Sequence, residues 1–311
     1  MLFKKSLIPA GLTTLSLPYS DSLQKTVRVY VPEHKKGQKL PVIYMTDGQS
    51  VFDEESNPLG CWHTREAVAA EQAASGKAAI IVGIHSEPHP MHRTAELTPA
   101  SIGAFTPPPM DDLPPMPPMP EGMPPMPGGM PPMPEGMSPM PENMTPEMLR
   151  KMMEDMMKNF KPDGEKFDEF VVSTVMPAVE KQFPVKKGRD NTAIIGSSSG
   201  GLEVFYTALT HPSLFCAVGA LSPAFLFYKP EDVVKWTSER LGKTIPFLYL
   251  YCGEGEPKEK QMCDAARPVF ELIESRVPEK NRRIVITPDA IHNESAWEPV
   301  FKDFLHLFLH R

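Results

Sequence analysis

Seven short stretches of the chain are apolar almost throughout and rich in β-branched or aromatic residues, which is typical of strands. Between them, apolar residues recur every three or four positions, which is typical of helices. The strand-like stretches are 26–32, 41–48, 78–85, 192–198, 215–222, 246–253 and 282–289, and the helical patterns are 63–75, 165–182, 200–210, 230–241, 262–277 and 295–310. This alternation predicts the α/β fold class, a mostly parallel central sheet with helices on both faces, whose ligands bind beyond the carboxyl ends of the strands.

One segment interrupts this alternation within what we predict to be a single domain over 1–311. From about 107 to 146 the chain repeats a Met-Pro heptad such as MPPMPEG, and this proline density excludes helix and central strand. At 147–160, methionines recur every four residues, which predicts an amphipathic helix with a methionine face. Three interpretations of the insert stay open: a lid over the active site, a Cu(I) site of soft thioether ligands, or no specific role.

The composition favours a globular protein and argues against one that binds nucleic acid or spans a membrane. A chain of 311 residues with 41% hydrophobic content can form a substantial core, and its net charge of −7 gives no basic surface for nucleic acid. No apolar run approaches the roughly 20 residues that span a membrane, and we interpret the N-terminal stretch as a first β-hairpin rather than a signal peptide. The four scattered cysteines contain no C-x-x-C pair, so we expect reduced thiols and a cytoplasmic protein. The oligomeric state stays open.

The stretch GSSSGG (196–201) places three serines between a predicted strand and a predicted helix. A nucleophile elbow has the form G-x-S-x-G, because the strained turn admits only small residues on either side of the serine. Ser198 alone has glycine at both positions, Gly196 and Gly200. We therefore predict Ser198 as a nucleophile, against the alternative of a turn that caps a helix or binds phosphate.

A serine hydroxyl needs a base to accept its proton and an acid to hold that base in the right tautomer. In folds with this elbow the chain order is serine, acid, histidine. His292 follows the last predicted strand and precedes the last helix, so we predict it as the base rather than an ordinary loop histidine. The acid should follow the strand at 246–253, where Glu254, Glu256 and Glu259 are the candidates.

Five motifs in order resemble the putative esterase family of α/β-hydrolases, which includes enterochelin, feruloyl and acetyl-xylan esterases, S-formylglutathione hydrolase and the antigen 85 mycolyltransferases. They are VIYMTDGQSVFD (42–53), VGI with RTAELTP (82–84 and 93–99), GSSSGG (196–201), LSPAF (221–225) and HNESAW (292–297). The resemblance covers nearly the whole chain except the insert, and it implies the α/β-hydrolase fold with Ser198 and His292 as nucleophile and base.

The same resemblance also indicates which glutamate orients His292. In many relatives the acid stands three residues after a glycine that ends its strand, which implies Glu256 here. Other members place it nearer Glu259, and some siderophore esterases use serine and histidine alone.

An oxyanion needs fixed backbone N–H donors. We predict one at Ser199, the residue after the nucleophile, and the resemblance implies Gln49 as the other. Trp62 and Phe225 are predicted to line the substrate pocket, although the default place of large apolar residues is the core. Trp297 is expected to pack.

The sequence thus predicts a serine carboxylic-ester hydrolase that acts on a small-molecule ester through an acyl-enzyme. No metal or organic cofactor is expected for this reaction, and His85, His89 and His92 are interpreted as a polar loop rather than a metal site. Two alternatives remain: an acyltransferase in which a sugar or alcohol replaces water, and a non-catalytic binding protein that uses the insert as its interaction arm.

Overall fold

A computed structural model describes residues 7–53, 60–106 and 160–311. The chain divides into two units, one formed by residues 1–106 and 162–311 and the other by residues 107–161. The Met-Pro insert and all but the last residue of the helix predicted at 147–160 lie outside the described residues, as do the interpretations given to them. The site considered below belongs to the first unit.

Strands of the first unit form two sheets. In chain order they are β1 (Leu7–Ile8), β2 (Gly11–Pro18), β3 (Gln24–Val31), β4 (His34–Lys35), β5 (Val42–Met45), β6 (Ile80–Ile84), β7 (Thr192–Ser197), β8 (Ala217–Leu221), β9 (Phe247–Gly253) and β10 (Arg282–Thr287). The large sheet has the order β10-β9-β8-β7-β5-β6-β3-β2, and β1 pairs with β4 separately. Pairing is parallel from β10 to β6, whereas β6 with β3 and β3 with β2 are antiparallel. The predicted N-terminal hairpin is therefore confirmed.

Helices follow the strands along the described chain. They are α1 (Thr64–Ser75), α2 (Pro90–Glu96), α3 (Gly164–Phe170), α4 (Met176–Gln182), α5 (Ser199–Thr210), α6 (Pro230–Arg240), α7 (Pro257–Arg276) and α8 (Glu294–Leu309), with a π-helical turn at Val171–Val175. The predicted α/β class, a mostly parallel sheet with helices on both faces, is confirmed. None of the helices in the described ranges is long and apolar enough to cross a bilayer.

Both faces of the central part of the sheet are buried. Successive residues of β7 point to opposite sides, so Ile194 packs in an apolar cluster with Phe205 while Ile195 packs in another with Phe301. Because each face is covered, the central strands β5, β7, β8 and β9 are buried at every position rather than at alternate ones. Their carboxyl ends lie at one edge, and the loops that follow β5, β7, β8, β9 and β10 meet there.

One boundary differs from the sequence expectation in a way that matters for the site. Helix α7 begins at Pro257, five residues before the predicted start at 262. Proline is favoured at the first helical position because its missing N–H would have no partner there. Glu259 therefore lies in the first turn of a helix rather than in a loop.

Candidate active site

Ser198 lies at the turn between β7 and α5. Its backbone has φ 59° and ψ −127°, a conformation that residues with a side chain rarely adopt. Backbone hydrogen bonds hold it there, because its N–H donates to the Leu221 carbonyl at 2.9 Å and its carbonyl accepts from Ala224 N–H at 3.1 Å. Ser198 is partly exposed, whereas Ser197 and Ser199 are buried. Of the three serines, Ser198 thus has the strained turn and the accessible side chain of a nucleophile elbow.

The glycines on either side are required by close packing. A Cβ on Gly196 would lie 2.6 Å from the Gly200 carbonyl oxygen and would also meet the Thr46 hydroxyl. A Cβ on Gly200 would lie 2.8 Å from Asp47 Oδ2. The G-x-S-x-G pattern therefore lets the strand, the helix and the loop after β5 approach one another around Ser198.

The structure brings three predicted candidates into one hydrogen-bonded row. His292 Nε2 lies 3.0 Å from Ser198 Oγ, and His292 Nδ1 lies 2.5 Å from Glu259 Oε2. The side chains of His292 and Glu259 are 5% and 0% exposed. His292 is placed by the loop between β10 and α8, and Glu259 by the first turn of α7.

The preference for Glu256 as the acid is wrong in this geometry. Glu256 Oε1 accepts a hydrogen bond from the backbone N–H of His292 at 3.0 Å rather than from its ring. Glu254 pairs with Arg267 at the surface. Because α7 begins at Pro257, Glu259 lies in its first turn and points inward to the imidazole Nδ1 of His292. Proline followed by an acidic residue two positions later is a helix-start signal that could have indicated this.

Ser222, at the end of β8, fixes the other oxygen of the Glu259 carboxylate. Its hydroxyl donates to Glu259 Oε1, which also accepts from Gly253 N–H at 2.7 Å. Trp297 Nε1–H donates to Ser222 Oγ at 3.2 Å, so this tryptophan does more than pack. Ser222 itself has φ 44°, a positive value held by a 2.6 Å bond from its N–H to the Tyr251 carbonyl. Sequence reasoning missed Ser222, although it opens the SPAF part of a motif already noted.

Burial and hydrogen bonding act in opposite directions on the pair. Burial alone would raise the Glu259 pKa, but the bonds from His292, Ser222 and Gly253 N–H hold it below its ordinary value. Burial lowers the His292 pKa, and Lys258 lowers it further, although the bond to Glu259 opposes both. A neutral imidazole beside an ionised carboxylate is the form that can accept a proton from a hydroxyl.

The two predicted oxyanion donors come from adjacent elements. Ser199 is the first residue of α5, so its backbone N–H precedes the helical hydrogen-bond ladder. Gln49 lies in a 3-10 turn, Gly48–Ser50, that follows β5. Its side chain donates to Ser86 Oγ at 3.0 Å. The roles of both backbone N–H groups remain predictions.

A partly buried ion pair anchors the turn that contains Gln49. Arg93 Nε and Nη2 donate to Asp47 Oδ1 and Oδ2 at 2.5 and 2.7 Å, and Ser86 Oγ donates to Asp47 Oδ1 at 2.6 Å. Asp47 has φ 53°, and the attractive contacts hold its pKa below the ordinary value although burial alone would raise it. In the sequence analysis Arg93 stands only as the first residue of the RTAELTP motif, and its contact with Asp47 was not predicted.

The predicted pocket residues are not at a surface. Trp62 is 4% exposed, and its ring packs 6.2 Å from the rings of Trp297 and Phe301. Phe225 is 1% exposed and packs edge-on against Phe205, with ring centroids 5.2 Å apart. Both predictions of a substrate wall are wrong here, because these side chains fill the core, the default that large apolar residues follow.

The chain has the α/β-hydrolase fold, with a mostly parallel sheet, a strained serine after a central strand and a histidine that lies between that serine and a glutamate. Residues 155–301 match the family described as "Putative esterase". The resemblance inferred from the five motifs is confirmed.

Individual relatives are distant. The chain is 28% identical over 96 residues to an endo-1,4-beta-xylanase/feruloyl esterase of Xylanibacter ruminicola, a match that covers 31% of this chain and only 12% of that protein. Two solved structures share the fold: a ferulic acid esterase (TM-score 0.60, 14% identity, 97% of this chain and 99% of the other) and the ferric enterobactin esterase of Salmonella typhimurium (TM-score 0.62, 15% identity, 97% and 58%).

Proposed function

We propose that the chain is a serine esterase that hydrolyses a small-molecule carboxylic ester through a Ser198–His292–Glu259 triad. The observation that carries this proposal is the continuous contact from Ser198 Oγ to His292 Nε2 and from His292 Nδ1 to Glu259 Oε2, at 3.0 and 2.5 Å. Nucleophile, base and orienting acid are recognised by such geometry rather than by sequence position. The family match is consistent with it.

Acylation begins when Ser198 Oγ attacks the ester carbonyl carbon while His292 Nε2 accepts the hydroxyl proton. Glu259, ionised and buried, accepts the Nδ1–H bond, which leaves Nε2 free to act as base and stabilises the imidazolium that forms. When the tetrahedral intermediate collapses, the C–O bond to the leaving alcohol breaks. The imidazolium returns its proton to that alcohol oxygen.

Deacylation repeats these steps with water. His292 accepts a proton from a water molecule as its oxygen attacks the acyl carbonyl, and the proton then passes to Ser198 Oγ as the acyl–serine bond breaks. In both halves the oxyanion accepts hydrogen bonds from the backbone N–H groups of Ser199 and Gln49. Fixed donors of this kind are worth roughly 2.7–4 kcal/mol each in other acyl-transfer enzymes.

A fluorophosphonate probe and a Ser198→Ala variant test the nucleophile. Wild type should be labelled at one serine, and Ser198→Ala should be neither labelled nor active. Ser197→Ala is the matched control and should keep its label. Labelling that persists in Ser198→Ala but disappears in Ser197→Ala or Ser199→Ala would refute the assignment.

A panel of nitrophenyl, feruloyl, acetyl-sugar and catecholate siderophore esters tests the substrate class. The feruloyl and catecholate members are chosen because similar proteins carry those names. Hydrolysis of at least one member that Ser198→Ala abolishes supports the function. Transfer of the acyl group to an added alcohol or sugar, with no hydrolysis in its absence, would instead favour the acyltransferase.

A further inference from the structure

Away from the esterase site, three metal-ligating side chains converge where α1 meets the end of α8. Glu71 lies near the end of α1, His306 lies in the last turn of α8, and His310 caps that helix. Glu71 Oε2 is 3.2 Å from His306 Nδ1, and Glu71 Oε1 is 2.9 Å from His310 Nε2. The three ligand atoms all lie within 4.8 Å of one another.

The spacing suits a tetrahedral ion. Zn²⁺ takes imidazole nitrogens and carboxylate oxygens at about 2.0–2.2 Å, so two of its ligand atoms lie roughly 3.4 Å apart. Each histidine nitrogen lies near this distance from a different oxygen of the Glu71 carboxylate, and one ligand atom from each of the three residues lies within 4.8 Å of the others. Two histidines four residues apart face the same side of a helix, the arrangement that zinc-binding helices use. Small rotations of the two histidine rings, whose centroids are 4.3 Å apart, would bring the third pair into range.

Solvent access to the ligands is also suitable. The side chains of His306 and His310 are 53% and 33% exposed, which leaves room for a water molecule as fourth ligand. Imidazole and carboxylate together favour a borderline divalent ion over hard or soft ones.

One neighbour opposes a cation. Lys77 Nζ lies 3.4 Å from His310 Nδ1 and donates to the Leu309 carbonyl at 2.9 Å. The positive charge of Lys77 on the far side of the His310 ring repels a bound ion. When His310 Nε2 binds a metal, Nδ1 carries the ring proton and can no longer accept a hydrogen bond from Lys77. Removal of the Lys77 charge should therefore strengthen metal binding, whereas removal of a ligand should weaken it.

We propose that Glu71, His306 and His310 form a surface site for a borderline divalent transition-metal ion, with Zn²⁺ the expected occupant. The ion ties α8, which begins just after His292, to α1. The site lies outside the esterase machinery and is independent of the proposed triad.

Zn²⁺ titration of the chelator-treated 311-residue chain by calorimetry tests the site. Wild type should bind one Zn²⁺ saturably through the cluster, and Zn²⁺ should raise its Tm. Glu71→Gln, His306→Gln and His310→Gln should each weaken this binding at least about tenfold and remove the shift in Tm. Lys77→Met should tighten binding. His92→Gln, a histidine outside the cluster, is the matched control and should bind as wild type does.

Two results would overturn the proposal. One is the absence of saturable Zn²⁺ binding to wild type at millimolar metal. The other is binding that survives in all three cluster variants, because the ion would then occupy other ligands. If a ligand variant is less stable, Lys77→Met still tests the site, because it alters the charge beside the cluster and leaves the three ligands in place.

Discussion

Replacement of Glu259 by glutamine should abolish most of the activity while the fold is kept. The amide is nearly the same size as the carboxylate, and its Oε1 can still accept from Ser222 Oγ and Gly253 N–H. What is lost is the anionic oxygen 2.5 Å from His292 Nδ1. An amide NH₂ in that place donates to Nδ1, which moves the ring proton to Nε2, the atom that must accept the serine proton.

The magnitude follows from the charge that the variant removes. A unit charge about 4 Å from the centre of the imidazolium is worth about 4 kcal/mol at an effective dielectric constant of 20. This energy is available only when the ring is protonated, in the transition state, so it appears in kcat. About 4 kcal/mol corresponds to a loss of about 10³-fold, and the unfavourable tautomer adds to it. KM should change little, because the neutral ground state gains little from the charge.

The assay is steady-state hydrolysis of a nitrophenyl ester with Glu256→Gln as the matched control. Glu256 accepts from the backbone N–H of His292 rather than from its ring, so its variant should lose less than about tenfold, the value of one hydrogen bond. Tm of each variant shows whether a loss reflects unfolding. A larger kcat loss in Glu256→Gln than in Glu259→Gln would refute the assignment of the acid.

The pH profile gives a second readout of the same contact. Because burial holds the His292 pKa below its ordinary value of 6.5, the acid limb of the kcat/KM profile should have its midpoint below pH 6.5. Glu259 raises that pKa against the effect of burial. Loss of its charge in Glu259→Gln should therefore move the acid limb to still lower pH. A limb that moves to higher pH would contradict the electrostatic argument.

Three further variants test the supports of the site. Ser198→Ala should lower kcat by several orders of magnitude with unchanged Tm, and a loss below about 10²-fold on the nitrophenyl ester would exclude a covalent role. Ser222→Ala should lower kcat about tenfold, because the hydroxyl that holds Glu259 is lost. Ser222→Gly should lose as much activity but have a higher Tm than Ser222→Ala, because glycine adopts φ 44° without strain. Equal Tm values for the two variants would count against backbone strain at this position. Arg93→Met should lower the free energy of unfolding in urea by about 2 kcal/mol and should also lower kcat, because Asp47 would lose its counter-charge beside the Gln49 turn. The Arg93 and Asp47 side chains are only 25% and 13% exposed, so water replaces that charge poorly. An unchanged urea midpoint would show that the ion pair does not anchor the turn.

The sequence by itself determined the fold class, and it predicted the residues that we propose as nucleophile and base. Apolar runs and helical spacing are local patterns, so they predicted the parallel sheet and the helices that cover it. The nucleophile elbow is also local, because the glycines beside Ser198 are required by a turn six residues long. His292 could be placed because the order of elements fixes which loop returns over the sheet.

Only the tertiary structure decided which groups meet. Three glutamates lie within six residues after β9, and the exact start of α7 selects Glu259, since a helix advances about 100° per residue and turns its neighbours elsewhere. Ser222 and Trp297 reach Glu259 from other elements, and Glu71 meets two histidines more than 230 residues away. Trp62 and Phe225 show the same limit, because an apolar side chain has the same sequence pattern in a pocket wall and in a core. Contacts between distant segments depend on how whole elements pack, and no local pattern of residues contains that information.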